Sequence, residues 1–373
     1  MLLFPQLMPL HVQGVRLGLN LFFYRFREMD FMRKVLLSAV LGLALFWGTA
    51  LAQTFDDGLA AYNAGDYSTA GKIWQALAVE GNPRAQYNVG VMLEKGIGVP
   101  QDYKNAAMFY QAAAEKNHSG AQSNLGTLYA NGLGVEENDA EAVRLYLLSA
   151  EQGNPLGQFN LGLMYAKGEG VERDDSAALS WLLKAAAQGD PRAQNNAAVL
   201  YRDGRGTEVN DVEAARLFTL AAEQGFASAQ TSLARMYAQG RGVTANIETA
   251  LELFKKAAEQ GHAGAQTSLG MAYYQGQGVQ KNNAEAFKWF QAAARQGVGE
   301  AQFGLGLMYV KGEAGPPNDI KAHMWWNIAV FNGFENAQRN LNTVTADLSP
   351  QDLQTAQNMA QTCVDSRYQN CED

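Results

Sequence analysis

The stretch that decides the fold reads AQTSLGMAYYQGQGV over residues 265–279, and closely similar stretches recur along the chain. Its first two residues belong to a series of eight Ala-Gln pairs, in one of which Gly157 replaces the alanine. Each pair lies 36 residues after the one before, and the pairs begin at residues 85, 121, 157, 193, 229, 265, 301 and 337. A fixed period of this length predicts a stack of repeated structural units rather than separate globular domains.

Apolar and small residues follow each Ala-Gln pair at helical spacing. After Ala265, Leu269 comes four positions later with Gly270 beside it, and Tyr273 comes four positions after Leu269. Offsets of 0, 4 and 8 place these residues on one face of an α-helix. We expect the small residue to let a partner helix approach closely and the tyrosine to fill the space beyond it.

A glycine-rich turn and a second amphipathic helix complete each unit. Gly276 and Gly278 supply the left-handed backbone that ends the first helix. Asn282, six residues past the first glycine, is expected to cap the second helix, which carries Ala286 and Phe290 at i, i+4 spacing. The sequence therefore predicts an all-α fold, an α/α superhelical solenoid of about eight helix pairs.

The combined pattern resembles the Sel1-like repeat, a relative of the tetratricopeptide repeat with a 36-residue unit. The resemblance covers about residues 53–342 and is weakest at 312–317, where the second glycine and the valine are missing. It implies an exported bacterial protein of the scaffold type, in which the first helix of each pair lines a concave groove. It also implies a capping helix after the last repeat.

The chain divides into four predicted segments. Residues 1–31 are apolar and lack the repeat, which suggests a misannotated upstream extension with the true start at Met29 or Met32, or else a long leader or membrane-associated segment. Residues 32–52 have a basic start, an apolar run and an A-x-A site, as in a signal peptide. That run is shorter than the ~20 residues of a membrane span. We predict the solenoid at 53–346, a capping helix with a disulfide-closed tail at 347–373, and a periplasmic or secreted location without a stable membrane span.

The tail contains the chain's two cysteines, Cys363 and Cys371. Ser349 and Pro350 are typical of a helix start, and in an exported protein a pair of cysteines predicts a disulfide. The bridge requires the helix to end near Val364, because an unbroken helix would hold the two residues ~12 Å apart. A metal site formed by free thiols is the alternative, but the tail lacks further ligands.

Charge and motifs argue against several classes of function. The formal net charge is −8, and the basic residues concentrated in the first 52 positions leave the remainder still more acidic. An acidic body does not favour nucleic acid, which binds to clustered lysine and arginine. The chain has no H-E-x-x-H, G-x-S-x-G or S-x-x-K motif. We predict no enzymatic activity, no catalytic residue, no metal site and no cofactor.

Two sets of side chains are candidates for binding a partner in the groove. A row of asparagines precedes the apolar residue of four first helices, at Asn88, Asn124, Asn160 and Asn196. Asparagine can hold a peptide backbone or a sugar hydroxyl, although it can equally stabilise helix stacking. The second set comprises residue types common at binding sites, namely Arg202, Arg235, Tyr274 and Phe303.

Two functions remain open from the sequence. The first is a non-enzymatic exported scaffold that binds a protein or peptide, including an acidic or C-terminal segment, in envelope processes or host interaction. The second is a protein associated with peptidoglycan or exopolysaccharide that binds glycan or, with less support, hydrolyses it. The first predicts protein partners in a crosslinking pulldown, and the second predicts retention on polysaccharide.

Overall fold

A computed structural model describes residues 53–313 and 315–371. Over these residues the protein contains eighteen α-helices, one short 3-10 helix and no strand. The predicted segments 1–31 and 32–52 lie outside the described residues. The chain forms two compact units that meet in sequence between His118 and Ser119.

The first unit contains two helix pairs. The helices are α1 (Phe55–Asn63), α2 (Tyr67–Val79), α3 (Pro83–Lys95) and α4 (Tyr103–Ala114). Trp74 is almost fully buried in this unit, and its indole Nε1 donates to the carbonyl of Phe55 at 3.2 Å. Gly58 makes this placement possible, since a Cβ there would lie 2.5 Å from the indole.

The second unit contains six further helix pairs and the C-terminal segment. The pairs are α5 (Ser119–Asn131) with α6 (Asp139–Glu151), α7 (Pro155–Lys167) with α8 (Asp175–Ala187), α9 (Pro191–Asp203) with α10 (Asp211–Glu223), α11 (Ala227–Gln239) with α12 (Ile247–Glu259), α13 (Ala263–Gln275) with α14 (Asn283–Ala294) and α15 (Gly299–Val310) with α16 (Asp319–Phe331). A 3-10 helix (Glu335–Ala337), α17 (Gln338–Asp347) and α18 (Pro350–Asp365) follow. With the two pairs of the first unit, the described chain has the predicted eight helix pairs, and the predicted all-α fold is confirmed.

Local sequence signals define the ends of these helices. Each second helix from α4 to α16 begins after an Asp or Asn whose side chain accepts a backbone N–H of the first turn, as predicted. These caps are Asp102, Asn138, Asp174, Asn210, Asn246, Asn282 and Asn318. Several first helices end at a left-handed glycine, such as Gly204 with φ 66°. The second glycine of the turn is also required, because a Cβ on Gly206 would lie 2.3 Å from the backbone of Asp175.

The small residue of each first helix is where the two helices of a pair meet. A Cβ on Gly270 would lie 2.7 Å from the ring of Phe290, which is fully buried. Gly306 has the same relationship with the indole of Trp326, at 2.4 Å. Burial of one such aromatic side chain stabilises the fold by roughly 1.5–3 kcal/mol, so the predicted close approach accounts for much of the packing within a pair.

The predicted tail is present as a helix closed by a disulfide. Ser349 caps α18 and Pro350 is its first residue. Cys363 and Cys371 are bonded to each other with their Cα atoms 4.4 Å apart, which is possible because Arg367 and Tyr368 adopt left-handed backbone after the helix ends. α18 packs against α16 and thereby covers the last helix pair.

Candidate binding surface

First helices of successive repeats also contact each other directly. Within the described part of the second unit, α5 contacts α7 and α13 contacts α15. First helices that approach each other in this way form the inner side of a curved helix stack. We call the solvent-facing side of these first helices in the second unit the first-helix surface, and define it by residues 124, 127, 160, 163, 196, 199, 232, 235, 268 and 271.

The predicted asparagines lie at equivalent positions of first helices. Asn124, Asn160 and Asn196 are half-buried on α5, α7 and α9 of the second unit, whereas the half-buried Asn88 belongs to α3 of the first unit. The Oδ1 of Asn196 accepts a hydrogen bond from the Nδ2 of Asn195 at 3.4 Å. These four asparagines are therefore accessible in part to a ligand.

The two predicted arginines do not share one environment. Arg202 is held by the neighbouring Asp203, with Nε and Nη2 donating to its carboxylate at 2.7 and 3.0 Å. This pairing raises the pKa of Arg202 and lowers that of Asp203. Arg235 is exposed on α11. Burial of His262 is the main cause of its lowered pKa, and the positive charge of Arg235 is the second cause. Arg235 therefore offers a charge to a partner, while that of Arg202 is already neutralised.

Tyr274 lies between two lysines that the sequence analysis did not identify. The Nζ of Lys311 donates to its hydroxyl at 2.8 Å, and the Nζ atoms of Lys281 and Lys311 lie 5.5 and 5.4 Å from the centre of its ring. Lys281 also pairs with Glu313 at 3.3 Å. Burial opposes ionisation of Glu313, but the tyrosine hydroxyl and Lys281 lower its pKa. We call Tyr274, Lys281, Lys311 and Glu313 the tyrosine–lysine cluster.

Phe303 contacts the aromatic residues of the last helix pair and its C-terminal turn. Its ring centre lies 6.4 Å from that of Trp326 and 5.3 Å from that of Phe334. The Nε1 of Trp326 donates to the carbonyl of Phe303 at 3.2 Å. Phe303 is only partly buried, so one part of its ring stabilises the repeat and another part remains available for contact.

An acidic cavity of about 420 Å³ opens beside Asn160. Its wall includes Glu137 from the turn before α6 and Asp139, the first residue of that helix. It also includes Lys167 at the end of α7 and Glu169 in the turn that follows. The Nζ of Lys167 lies 3.1 Å from a carboxylate oxygen of Glu169. The carboxylates of this wall were not among the predicted site residues. The sequence signal that identifies them is a comparison of equivalent turns, in which Glu169 stands where Arg205 and Arg241 stand in later repeats.

The histidines of the second unit lie in structural positions. His262 caps α13, where its Nδ1 lies 3.3 Å from the backbone N of Ala265 and 3.0 Å from the Oγ1 of Thr231. His323 is buried, and its burial lowers its pKa. Across residues 53–313 and 315–371, no three His, Cys, Asp or Glu side chains are arranged to hold a metal ion.

Among the helices over the same ranges, none is both long and apolar enough to cross a bilayer.

Comparison with known proteins identifies the repeat directly. A family model described as the Sel1 repeat matches seven consecutive segments, at residues 83–118, 119–154, 155–190, 191–226, 227–262, 263–298 and 299–330. No curated protein matches the chain at a significant level.

Solved structures of repeat proteins are similar to this chain. A Sel1 repeat protein from Oxalobacter formigenes is 32% identical, with a TM-score of 0.60 over 64% of this chain and 96% of that one. A protective antigen of uropathogenic Escherichia coli with an SLR fold is 28% identical, with a TM-score of 0.44 over 84% of this chain and 85% of that one. A Sel1 repeat protein from Klebsiella pneumoniae is 25% identical, with a TM-score of 0.37 over 54% of this chain and 99% of that one.

Proposed function

Because this chain belongs to the Sel1 repeat family, whose members are generally protein-interaction scaffolds, we propose that it is a non-enzymatic exported scaffold that binds a protein or peptide on its first-helix surface. The partner is an extended segment that lies across successive first helices. The observation that carries the proposal is the set of half-buried polar side chains at Asn124, Asn160 and Asn196, which recur at one position of successive first helices.

The chemistry of this surface suits a peptide backbone. An asparagine amide donates and accepts at once, so it can pair with the N–H and C=O groups of an extended chain whatever its sequence. The neighbouring positions Leu163 and Val199 are partly buried apolar residues, which would contact the side chains of the bound segment. Polar and apolar positions side by side are usual at protein interfaces.

The tyrosine–lysine cluster provides a second contact region near the C-terminal end of the unit. Lys281 and Lys311 both approach the ring of Tyr274, and Glu313 is the acidic group paired with Lys281. Two ammonium groups and one carboxylate leave the cluster positive. An acidic side chain or a terminal carboxylate of the partner is the group that this cluster would bind.

Two further features support an exported location. The Cys363–Cys371 disulfide is of a kind that persists in oxidising compartments such as the bacterial periplasm. Residues 32–52 have the composition of a signal peptide. These features support a periplasmic or extracellular location for the proposed scaffold.

Affinity capture of the exported protein tests the proposal. Wild-type protein and the double variant Lys281→Glu/Lys311→Glu are crosslinked in whole cells and purified under denaturing conditions. We expect a discrete protein partner with the wild type and at least a several-fold loss with the variant. Retention on purified peptidoglycan or exopolysaccharide without a crosslinked protein would contradict the proposal and favour the glycan-binding alternative.

A further inference from the structure

We propose that the acidic cavity between α5, α6 and α7 binds the guanidinium group of an arginine side chain in the partner peptide. The inference rests on the proposed function, because the cavity adjoins Asn160 on the first-helix surface. It adds the identity of one partner residue and the groups that recognise it. The protein's own later repeats hold an arginine at the equivalent place.

Arg205 shows how this turn holds a guanidinium group. It lies between the two glycines that follow α9, and its Nε and Nη2 donate to the carboxylate of Asp175 at 3.1 and 2.5 Å. Its Nη2 also donates to the carbonyl of Ala166 at 3.2 Å. The acceptors are therefore the carboxylate of Asp175, the first residue of α8, and the carbonyl of Ala166 near the end of α7.

The next repeat uses the same arrangement. Arg241 lies between the glycines that follow α11, and its Nε and Nη2 donate to the carboxylate of Asp211 at 3.1 and 2.7 Å. Two independent instances show that an aspartate at this helix start receives a guanidinium in the two-bond geometry that arginine makes with carboxylates.

The cavity is lined by the residues equivalent to these acceptors, but a glutamate occupies the position equivalent to the arginine. Asp139 and Ala130 stand 36 residues before Asp175 and Ala166, and both line the cavity. The residue 36 positions before Arg205 is Glu169, which also lines it. With a glutamate in place of the arginine, Asp139 and Ala130 line a space of about 420 Å³.

The other groups of the wall increase the preference for a cation. Glu137 contributes another carboxylate, and Lys167 is committed to Glu169 and is exposed. Asp139 and Glu137 have no hydrogen bond or ion pair through their carboxylates to any residue within the described ranges. The cavity therefore presents two unpaired carboxylates, one carbonyl and the amide of Asn160 to an incoming group.

Arginine fits this set better than lysine. A guanidinium presents several N–H donors in a flat fork and can bond the carboxylate of Asp139 and the carbonyl of Ala130 together, as Arg205 does with their counterparts. An ammonium group is a compact point charge that lacks this planar geometry. The amide of Asn160 is placed to bond the peptide backbone beside the arginine, which favours a peptide over the free amino acid.

The test uses short peptides as probes and two matched arginine variants. Binding of acetyl-Gly-Arg-Gly-amide to the full mature chain is measured by NMR titration, beside peptides with lysine or citrulline in place of arginine and beside free arginine. Glu169→Arg should fill the cavity from within, while Gln277→Arg introduces arginine at the equivalent turn where Ile247 stands in place of the aspartate. Asp139→Asn removes the main acceptor.

We expect the arginine peptide to bind at least about tenfold more tightly than the citrulline peptide, because only the guanidinium makes charged hydrogen bonds. A tenfold difference corresponds to about 1.4 kcal/mol. Glu169→Arg and Asp139→Asn should abolish this preference and Gln277→Arg should preserve it. Glu169→Arg should also raise the unfolding midpoint, whereas Gln277→Arg should not. Equal binding of arginine and citrulline peptides, tighter binding of free arginine, or unchanged binding by Glu169→Arg would overturn the inference.

Failure of this inference is distinguishable from failure of the proposed function. If wild type and Glu169→Arg capture the same protein partner equally in cells, the cavity is not its arginine site but the scaffold function stands. If the peptide preference is observed and no protein is captured, the cavity binds arginine and the scaffold proposal is wrong.

Discussion

The side-chain amide of Gln224 donates to the Oε1 of Gln194 at 2.9 Å, although the two residues are 30 positions apart. Gln194 is itself buried, and its Nε2 donates to the carbonyl of Ala186 in the preceding helix at 3.2 Å. The same pair of bonds recurs at Gln158, Gln230, Gln266 and Gln302. Each of these five glutamines therefore links one second helix to the next, and we call this series the glutamine ladder.

Removal of one ladder glutamine should destabilise the second unit. Gln230→Leu removes the hydrogen bond to the carbonyl of Ala222 and the one from the amide of Gln260. Loss of a buried hydrogen-bond partner costs ~1–3 kcal/mol. Urea unfolding followed by circular dichroism should show this loss, and the matched control Gln338→Leu should show little change, because Gln338 is exposed and bonds only Asn342. Equal effects of the two substitutions would contradict a structural role for the ladder.

The first unit should gain stability from a substitution that completes its ladder. Lys116 occupies the position equivalent to Gln152 and donates to the carbonyl of Gly81, while the buried Oε1 of Gln86 has no hydrogen-bond partner among the described residues. Lys116→Gln should keep the first bond and add one to Gln86, as Gln188 does in its own repeat. We expect a gain of about 1 kcal/mol in urea unfolding. Lys116→Met, which removes the amino group and offers no amide, should not stabilise the unit.

Replacement of Gly157, the one glycine in the series of Ala-Gln pairs, by alanine should destabilise the second unit. A Cβ on Gly157 would lie 2.5 Å from the Oγ of Ser149 and 2.9 Å from the backbone N of Ala150. Overpacking of this kind costs ~1–3 kcal/mol. In the next repeat Ala185 and Ala193 replace this serine and glycine, so Ser149→Ala should recover part of the loss caused by Gly157→Ala. Additive effects in the double-mutant cycle would show that the two positions are not coupled.

The ion pair between Arg205 and Asp175 should make the free energy of unfolding depend on pH in the acidic range. Hydrogen bonds from Arg205 and then Arg173 lower the pKa of Asp175 to about 2, below its ordinary value of 3.8. Because the folded-state pKa is depressed, the stabilisation is present above about pH 4 and is lost as the pH falls toward 2. A carboxylate NMR titration should report the low pKa, and Arg205→Gln should raise it. A normal pKa for Asp175 in the wild type would contradict the pairing.

The repeat pattern predicted the fold closely because each signal is local. Asn282 caps its helix and Gly276 ends the one before it, and both follow from backbone chemistry within a few residues. The disulfide between Cys363 and Cys371 was likewise predicted, from the presence of two cysteines in an exported chain, and it required the helix to end between them. The last Ala-Gln pair differs, since a 3-10 helix precedes Gln338 and leaves its side chain exposed instead of in the ladder.

The binding surface was less predictable because it depends on residues that stacking brings together. Lys311 reaches the hydroxyl of Tyr274 across 37 positions, and Arg205 reaches Asp175 across 30. Neither contact is visible in a single repeat. The sequence identified Tyr274 but not its lysines, and it grouped Arg202 with Arg235 although Asp203 already holds the former.

Site-specific photo-crosslinking in living cells is the most direct test of the central claim, that a protein partner lies on the first-helix surface. A photoreactive residue is introduced at Asn196 on α9 or, as the control, at the exposed Ser180 on α8. The account predicts a discrete crosslinked protein from position 196 and none from position 180. Crosslinks of equal yield from both positions, or from position 180 alone, would contradict it.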